Sequence, residues 1–402
     1  MQHHMLVIGR SREIHAKVAK LGFRMSVIAA KAKLSTMDMT IYDRAVGLPV
    51  DAPLDEWVAL ARSIHAVDPV VAIGGLSETT QYIAAAVAED LGLPYASSRT
   101  VLLSRDKYEM RQVLRERGID TTASRVVSNA VGIENFAAEY GYPIVLKPRD
   151  GQGKMGFSLL RGADDVSPAL ARFEAQSPAS DMLVEEFLEG DEYSVEAFSE
   201  EGEHRLICVT KKYKDPRTFV EIGHCVPASI APETDRVLKD YAARVLDAIG
   251  VRNGPSHTEI MMGPEGPRIV ETHVRLPGGA VVTLIDLLSS VDLDELWIRQ
   301  LVGQSVLKEV PAELHGHAAS AFAVPEGPGT LLRIEGEEQA SEQPGVAEVR
   351  LIFEPGTEIS DVYDSDSRGA GVLARGFTAQ EAVARSRAAL KLLKFQISRP
   401  EK

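Results

Sequence analysis

Cysteine is almost absent. Cys208 and Cys225 are the only two in 402 residues, without the paired spacing of a zinc site or the number a disulfide framework needs. Both read as small buried hydrophobes of a reducing compartment. Long apolar runs are missing too: no stretch approaches the ~20 residues that cross a bilayer. The amino-terminal M-Q-H-H-M-L-V-I-G lacks a signal peptide's basic region and long apolar core. The expectation is a cytoplasmic protein with no membrane partner. Positive charge is in deficit, since 44 Lys and Arg face 58 Asp and Glu for a formal charge of -14. That argues against a nucleic-acid partner but leaves room for a local basic pocket around a phosphate. The turn after the first apolar run, G-R-S, is not a G-x-G-x-x-G fingerprint, so a nicotinamide oxidoreductase has little support. Internal repeats and low-complexity segments are also lacking.

The length exceeds one ordinary core and suggests two to four domains of a globular protein. Short apolar runs at 5–8, 26–29 and 70–73 alternate with helical patterns, which implies a parallel sheet with helices on its faces. Glu78 follows the third run at a helix start, where an acidic side chain complements the dipole. Helical apolar spacing returns at Tyr108, Met110, Val113 and Leu114, with Lys107 near the start and Gly118 at the stop. Next comes the strand-like I-V-L, closed by Lys147 and Pro148; a lysine in such a strand needs an anionic partner. The loop that follows holds Gly151, Gly153 and Gly156 and leads to the apolar run 157–160. Its glycines can turn several backbone N–H groups toward phosphate oxygens. It is not a Walker A loop, because it joins two strands.

In residues 182–198, M-L-V-E-E-F-L-E-G-D-E-Y-S-V-E-A-F, two strand-like runs flank a polar turn. Glu185, Glu186 and Glu192 offer acceptors for an exocyclic amine or ribose hydroxyls, and the backbone of Phe187 and Leu188 suits an adenine edge. Residues 259–279, E-I-M-M-G-P-E-G-P-R-I-V-E-T-H-V-R-L-P-G-G, read as a hairpin around Gly-Pro-Glu-Gly-Pro. Pairing would set Glu259 beside Glu271, and two close carboxylates repel unless a hard divalent cation lies between them. Solvent-facing hairpin glutamates are the plainer alternative. Arg275 and the Gly278-Gly279 pair follow at once. From about 306 the composition changes to further strands and a helix over 379–393.

The order of these motifs resembles the ATP-grasp ligases, specifically the L-amino acid ligases that join a carboxylate to an amine. The fold implied is α/β: a Rossmann-like leading domain at 1–98, then an ATP-grasp fold of two α+β lobes. The small lobe, with its glycine-rich lid, would span 99–180, and the large lobe, with the metal and substrate site, 181–305. An α+β C-terminal lobe would take 306–402, where S-D-S-R-G-A-G-V-L-A-R-G resembles biotin-carboxylase-like enzymes. The resemblance implies ATP with Mg2+, or Mn2+ in its place. Lys107 and Lys147 would contact its phosphates, and the backbone around Gly151, Gly153 and Gly156 would close over them. Glu185 would accept from the adenine amine, Phe187 and Leu188 would face the ring, and Glu192 would hold the ribose. Glu259 and Glu271 would bind the metal; Arg275 with Gly278 or Gly279 would hold the oxyanion. Glu78, Glu221 and His224 would face substrate. Many members carry Asn where this chain has His273, and imidazole is a poorer magnesium ligand, so His273 is expected at the substrate or behind a ligand. His257 would orient Glu259.

The reaction implied is amide or dipeptide formation through an acyl phosphate, releasing ADP and phosphate. Its substrates would be a small-molecule carboxylate and an amine, both amino acids, in a homodimer. Two alternatives stay open. One is a biotin-carboxylase-like or purine-pathway enzyme acting on bicarbonate or formate; the other is a non-catalytic nucleotide-binding regulator.

Overall fold

The computed structural model describes residues 3–150, 155–360 and 365–399. Strands β1 (His4–Ile8), β2 (Arg24–Ala30), β3 (Arg44–Leu48) and β4 (Ala72–Gly74) form a parallel sheet in the order β3-β2-β1-β4. Helices Leu54–Val67 and Gln81–Leu91 contribute Trp57, Ile64, Ile83 and Val87 to its core. β1 is buried throughout, which is why it reads as an unbroken apolar run. β3, with the half-exposed R-A-V-G-L, has no such run and escaped the sequence reading.

A second sheet is antiparallel: β5 (Ser124–Val127), β6 (Ile144–Pro148), β7 (Ser158–Leu160) and β8 (Met182–Glu186), in the order β5-β8-β6-β7. Helices Ala130–Tyr140 and Val166–Gln176 cover it, with Phe136 and Phe173 in the core. β8 sits between β5 and β6, so the small lobe runs past the expected boundary at 180/181. The chain must complete that sheet before it leaves. It leaves through a tight crossing, where Gly190 has φ +143° and a Cβ would lie 2.3 Å from the Met262 carbonyl oxygen. Only glycine fits there.

The remaining strands are β9 (Asp191–Glu200), β10 (Glu203–Lys214), β11 (Glu221–Val226), β12 (Gly254–Gly263), β13 (Gly266–His273), β14 (His317–Ala323), β15 (Gly329–Glu335), β16 (Val346–Leu351), β17 (Glu358–Ile359), β18 (Ala370–Gly376) and β19 (Lys394–Ser398). One eight-stranded sheet runs β13-β12-β9-β10-β11-β14-β18-β16, and β17-β15-β19 form a small one. The expected boundary at 305/306 therefore divides one sheet. β14 pairs with β11 and continues the large lobe, because the buried edge of β11 needs partners for its backbone groups. Helix Pro232–Ile249 packs Leu238, Val245 and Leu246 against Val195, Val209 and Ile260 on one face of this sheet. Helix Ala379–Leu390 lies on β14 and β18. Among the described residues, no helix is long and apolar enough to cross a membrane.

Candidate active site

The hairpin β12–β13 pairs from Gly263 opposite Gly266 to Ile260 opposite Ile269. Val270 is then an extra residue, a bulge that shifts the register by one. Beyond it Glu259 faces Glu271, Thr258 faces Thr272 and His257 faces His273. Without the bulge Glu259 would stand opposite Val270. Thr258 and Thr272 hydrogen-bond on the buried face at 2.9 Å. By alternation Glu259, Glu271 and His273 share the other face, with ligand atoms within 4.8 Å of one another.

Each carboxylate of the pair already meets a cation. Lys107 Nζ lies 3.2 Å from Glu271, and Lys212 Nζ lies 2.5 Å from Glu259. Lys212 also reaches Glu221 at 2.9 Å and Glu192 at 3.1 Å. Burial opposes the charge on Glu259, but Lys212 and His257 hold its carboxyl well below the usual range. Burial likewise opposes Glu271, and Lys107 and His273 bring it down. His257 bonds Glu196 at 2.8 Å and Glu259 at 3.1 Å, and these carboxylates outweigh burial to push it up to about 9. It is an imidazolium that orients Glu259. His273 stands between Glu271, at 3.1 Å, and Glu78, at 3.5 Å. It thus touches both the acid pair and Glu78.

A cavity of about 680 Å³ opens between the small lobe and the ends of β10 and β12. Phe157, Ile222, Met261 and Val270 make it an apolar slot, and Lys147, Phe187, Leu188 and Glu192 lie along it. Glu185 lines it as well, but both its oxygens are engaged. Arg111 donates to them at 2.9 and 3.2 Å, and Lys147 Nζ lies at 2.5 Å. Burial works against this carboxylate, yet the two cations hold it at about 2. Its geometry is that of an internal counter-ion, which differs from the open acceptor for an adenine amine that the motif suggested. The Glu192 carboxylate meets Lys212 and Lys214. Gly151 and Gly153 lie outside the described residues. Gly156, at φ +68°, donates its N–H to Gln176 at 2.9 Å.

A second cavity, of about 270 Å³, shares Lys147, Phe157, Lys212 and Val270 with the first. It collects Glu78, Lys107, Glu221, His224, Arg275 and the Gly278-Gly279 pair. Arg275 donates from Nε to Glu78 at 3.1 Å and from Nη2 to the same oxygen. Glu78, placed beyond β4 of the leading domain, thus engages the guanidinium rather than standing free for a substrate ammonium. His224 is buried, 3.3 Å from Glu221 and 3.3 Å from Ser320 Oγ. Gly279 has φ +63°, and a Cβ there would lie 2.6 Å from His224 Cε1. The helix Val281–Leu288 begins just beyond, so its amino-terminal end faces the cavity.

Two buried cations of the site escaped the sequence reading. Arg111 is fully buried; besides Glu185 it donates to the carbonyls of Ile269 at 2.6 Å and Val270 at 3.4 Å, pinning the bulge. Its signal was a charge on the apolar stripe beside Met110 and Leu114. Lys212 left a fainter one, a lysine on the same strand face as the buried Thr210.

Residues 140–283 match the ATP-grasp domain family, and residues 321–398 match the L-amino acid ligase C-terminal domain 2. An uncharacterised protein of Sinorhizobium fredii is 27% identical over 83% of this chain and 67% of its own length. Dapdiamide A synthase of Enterobacter agglomerans is 26% identical over 63% of this chain and 62% of its own. The chain therefore matches about two thirds, or less, of these relatives' length. Among solved structures, the L-amino acid ligase from Bacillus licheniformis shares the fold, with a TM-score of 0.86 at 20% identity and 99% coverage of both chains. With both family matches in that order, residues 140–283 form an ATP-grasp domain and residues 321–398 an L-amino acid ligase C-terminal domain.

Proposed function

We propose that this chain is an ATP-dependent carboxylate–amine ligase that makes an amide or dipeptide bond through an acyl phosphate, releasing ADP and phosphate. The supporting observation is one cavity in which the Glu259–Glu271 pair, Lys107, Arg275 and a helix amino-terminus converge, sharing a wall with an apolar slot sized for a nucleoside. The name of the L-amino acid ligase that shares the fold supports amino acids, which are proposed here for both acid and amine.

Glu259 and Glu271 are ionised, adjacent and hard oxygen donors, so they fit magnesium, or manganese in its place, with His273 supporting Glu271. When bound, the metal neutralises charge on the transferring phosphoryl group. The remaining work falls to the chain. Phe157 and Met261 would hold the base between them, and Glu192 would hold the ribose. Lys147, anchored by Glu185, and Lys107 present ammonium groups to phosphate oxygens. A carboxylate is a poor electrophile until phosphorylated; Arg275 is placed to hold it in line and then to hold the tetrahedral oxyanion with a backbone N–H at Gly278 or Gly279. Arg275 must exchange Glu78 for substrate to do so, which leaves Glu78 to meet the substrate's ammonium. Met155 and Phe157 at the rim keep water from the acyl phosphate.

Phosphate release over pairs of amino acids and simple amines, with mass detection of products, tests this reading. The expected result is pair-dependent ADP formation and a product one water lighter than its two substrates. Glu271→Gln should abolish turnover while leaving nucleotide binding. Release that needs bicarbonate but no amine, or bound nucleotide with no turnover for any pair, overturns it.

A further inference from the structure

Arg368 lies in the S-D-S-R-G-A-G-V-L-A-R-G stretch, to which the sequence reading gave no site role, and it lines the smaller cavity together with Arg275 and Gly278-Gly279. Every other described residue of that lining comes from residues 78–281, so Arg368 is what the C-terminal lobe contributes to the site. It follows the short turn Ser365–Ser367 and precedes β18.

Its place is fixed by packing. The guanidinium stands 4.8 Å over the Phe322 ring, and Phe322 meets the His224 ring edge-on at 6.2 Å. Phe322 on β14 pairs with Gly371 on β18, where a Cβ would lie 2.8 Å from the ring. Glycine at 371 thus makes the room that lets a buried aromatic sit under the guanidinium. β14 is in turn bonded to β11, which carries His224. A planar cation held over an aromatic face is pre-oriented for a planar anion.

Topology says which anion. The activated carboxylate has to meet phosphate at the acid pair. In the sheet, β9, β10, β11 and β14 separate the acid pair on β12–β13 from Arg368 at β18. An amino acid that serves as the amine brings a second carboxylate that does not react, and enclosing it unpaired would be costly. A guanidinium fork satisfies it with two charge-assisted hydrogen bonds.

We propose, resting on the ligase reading above, that Arg368 binds the free carboxylate of the amine-bearing substrate and so selects amino acids over simple amines. The test compares one amino acid acceptor with its carboxamide, which keeps the nucleophile and loses the charge. For Arg368→Met, the ratio of kcat/KM for the acid over the amide should fall at least about tenfold, the worth of one charge-assisted bond. Arg368→Lys, which keeps the cation, should recover part of that ratio. The KM for ATP and for the carboxylate donor should stay within about twofold of wild type, well short of the loss of one such bond. An unchanged acid-to-amide ratio, or a loss that falls on the donor instead, overturns the assignment. Absence of turnover in the wild type for every pair is a separate failure, of the ligase reading, and removes this inference with it.

Discussion

Replacing Lys212 by Met takes one ammonium from the midst of three carboxylates while nearly keeping the side chain's length. Its Nζ is 2.5 Å from Glu259, 2.9 Å from Glu221 and 3.1 Å from Glu192, and the side chain is 1% exposed. Burial opposes this charge, but the three carboxylates outweigh it and raise the ammonium's pKa well above its ordinary value. Removing one partner from a buried pair costs about 3–5 kcal/mol, because the other charge stays behind. Here the three glutamates also present oxygens within 4.8 Å of one another. Two unit charges at that separation repel by about 3 kcal/mol at an effective dielectric of about 20, so the loss belongs at the upper part of the range. Urea denaturation followed by far-UV circular dichroism, at pH 7 with a chelator present, measures it. A loss below about 1 kcal/mol would refute the reasoning, since a solvated or dispensable lysine gives no more than that.

Gly279→Ala should be disproportionate to its size. The left-handed backbone alone costs a non-glycine residue roughly 1–2 kcal/mol, and the new methyl must displace His224. A lowered melting temperature with a larger loss of kcat/KM is expected; neither changing would show that the contact is soft. Glu185 governs part of the acid limb. Its carboxyl is held at about 2 against an ordinary 4.5, so its contribution to stability is complete above about 4.5 and lost as pH falls toward 2. The stability gap between wild type and Glu185→Gln should therefore be wide at pH 6 and narrow steadily on acidification; a gap independent of pH would sink this assignment.

Much of the site could be read locally. Lys147 closes a strand of apolar residues, the hairpin turn sits between two apolar runs, and Arg275 and the glycine pair follow within a few residues of Glu271. Such features depend on hydrogen bonding and side-chain alternation over short stretches, which the order of residues displays directly. Ion partners do not work that way. Glu185 looked like an open acceptor because its neighbours in the chain are apolar or acidic; one of the two cations that engage it, Arg111, is 74 residues away on a helix whose stripe otherwise packs as core. A related limit applies at 305/306, which falls within one continuous sheet. A change of composition marks a change of surroundings, whereas sheet continuity is decided by which edge, here that of β11, has backbone groups left to satisfy.

By itself, the sequence determined the class of fold, the motif order and the two carboxylates twelve residues apart. The tertiary structure decided that those carboxylates meet. A hairpin paired without interruption would have set Glu259 against Val270, and a one-residue shift turns a whole strand face over. The bulge that prevents this depends on groups far along the chain: Arg111 takes the carbonyls of Ile269 and Val270, and Asp120 takes the Ile269 N–H at 2.8 Å. A local pattern can propose a pair of ligands, but the register that brings their oxygens together was held by partners more than a hundred residues upstream.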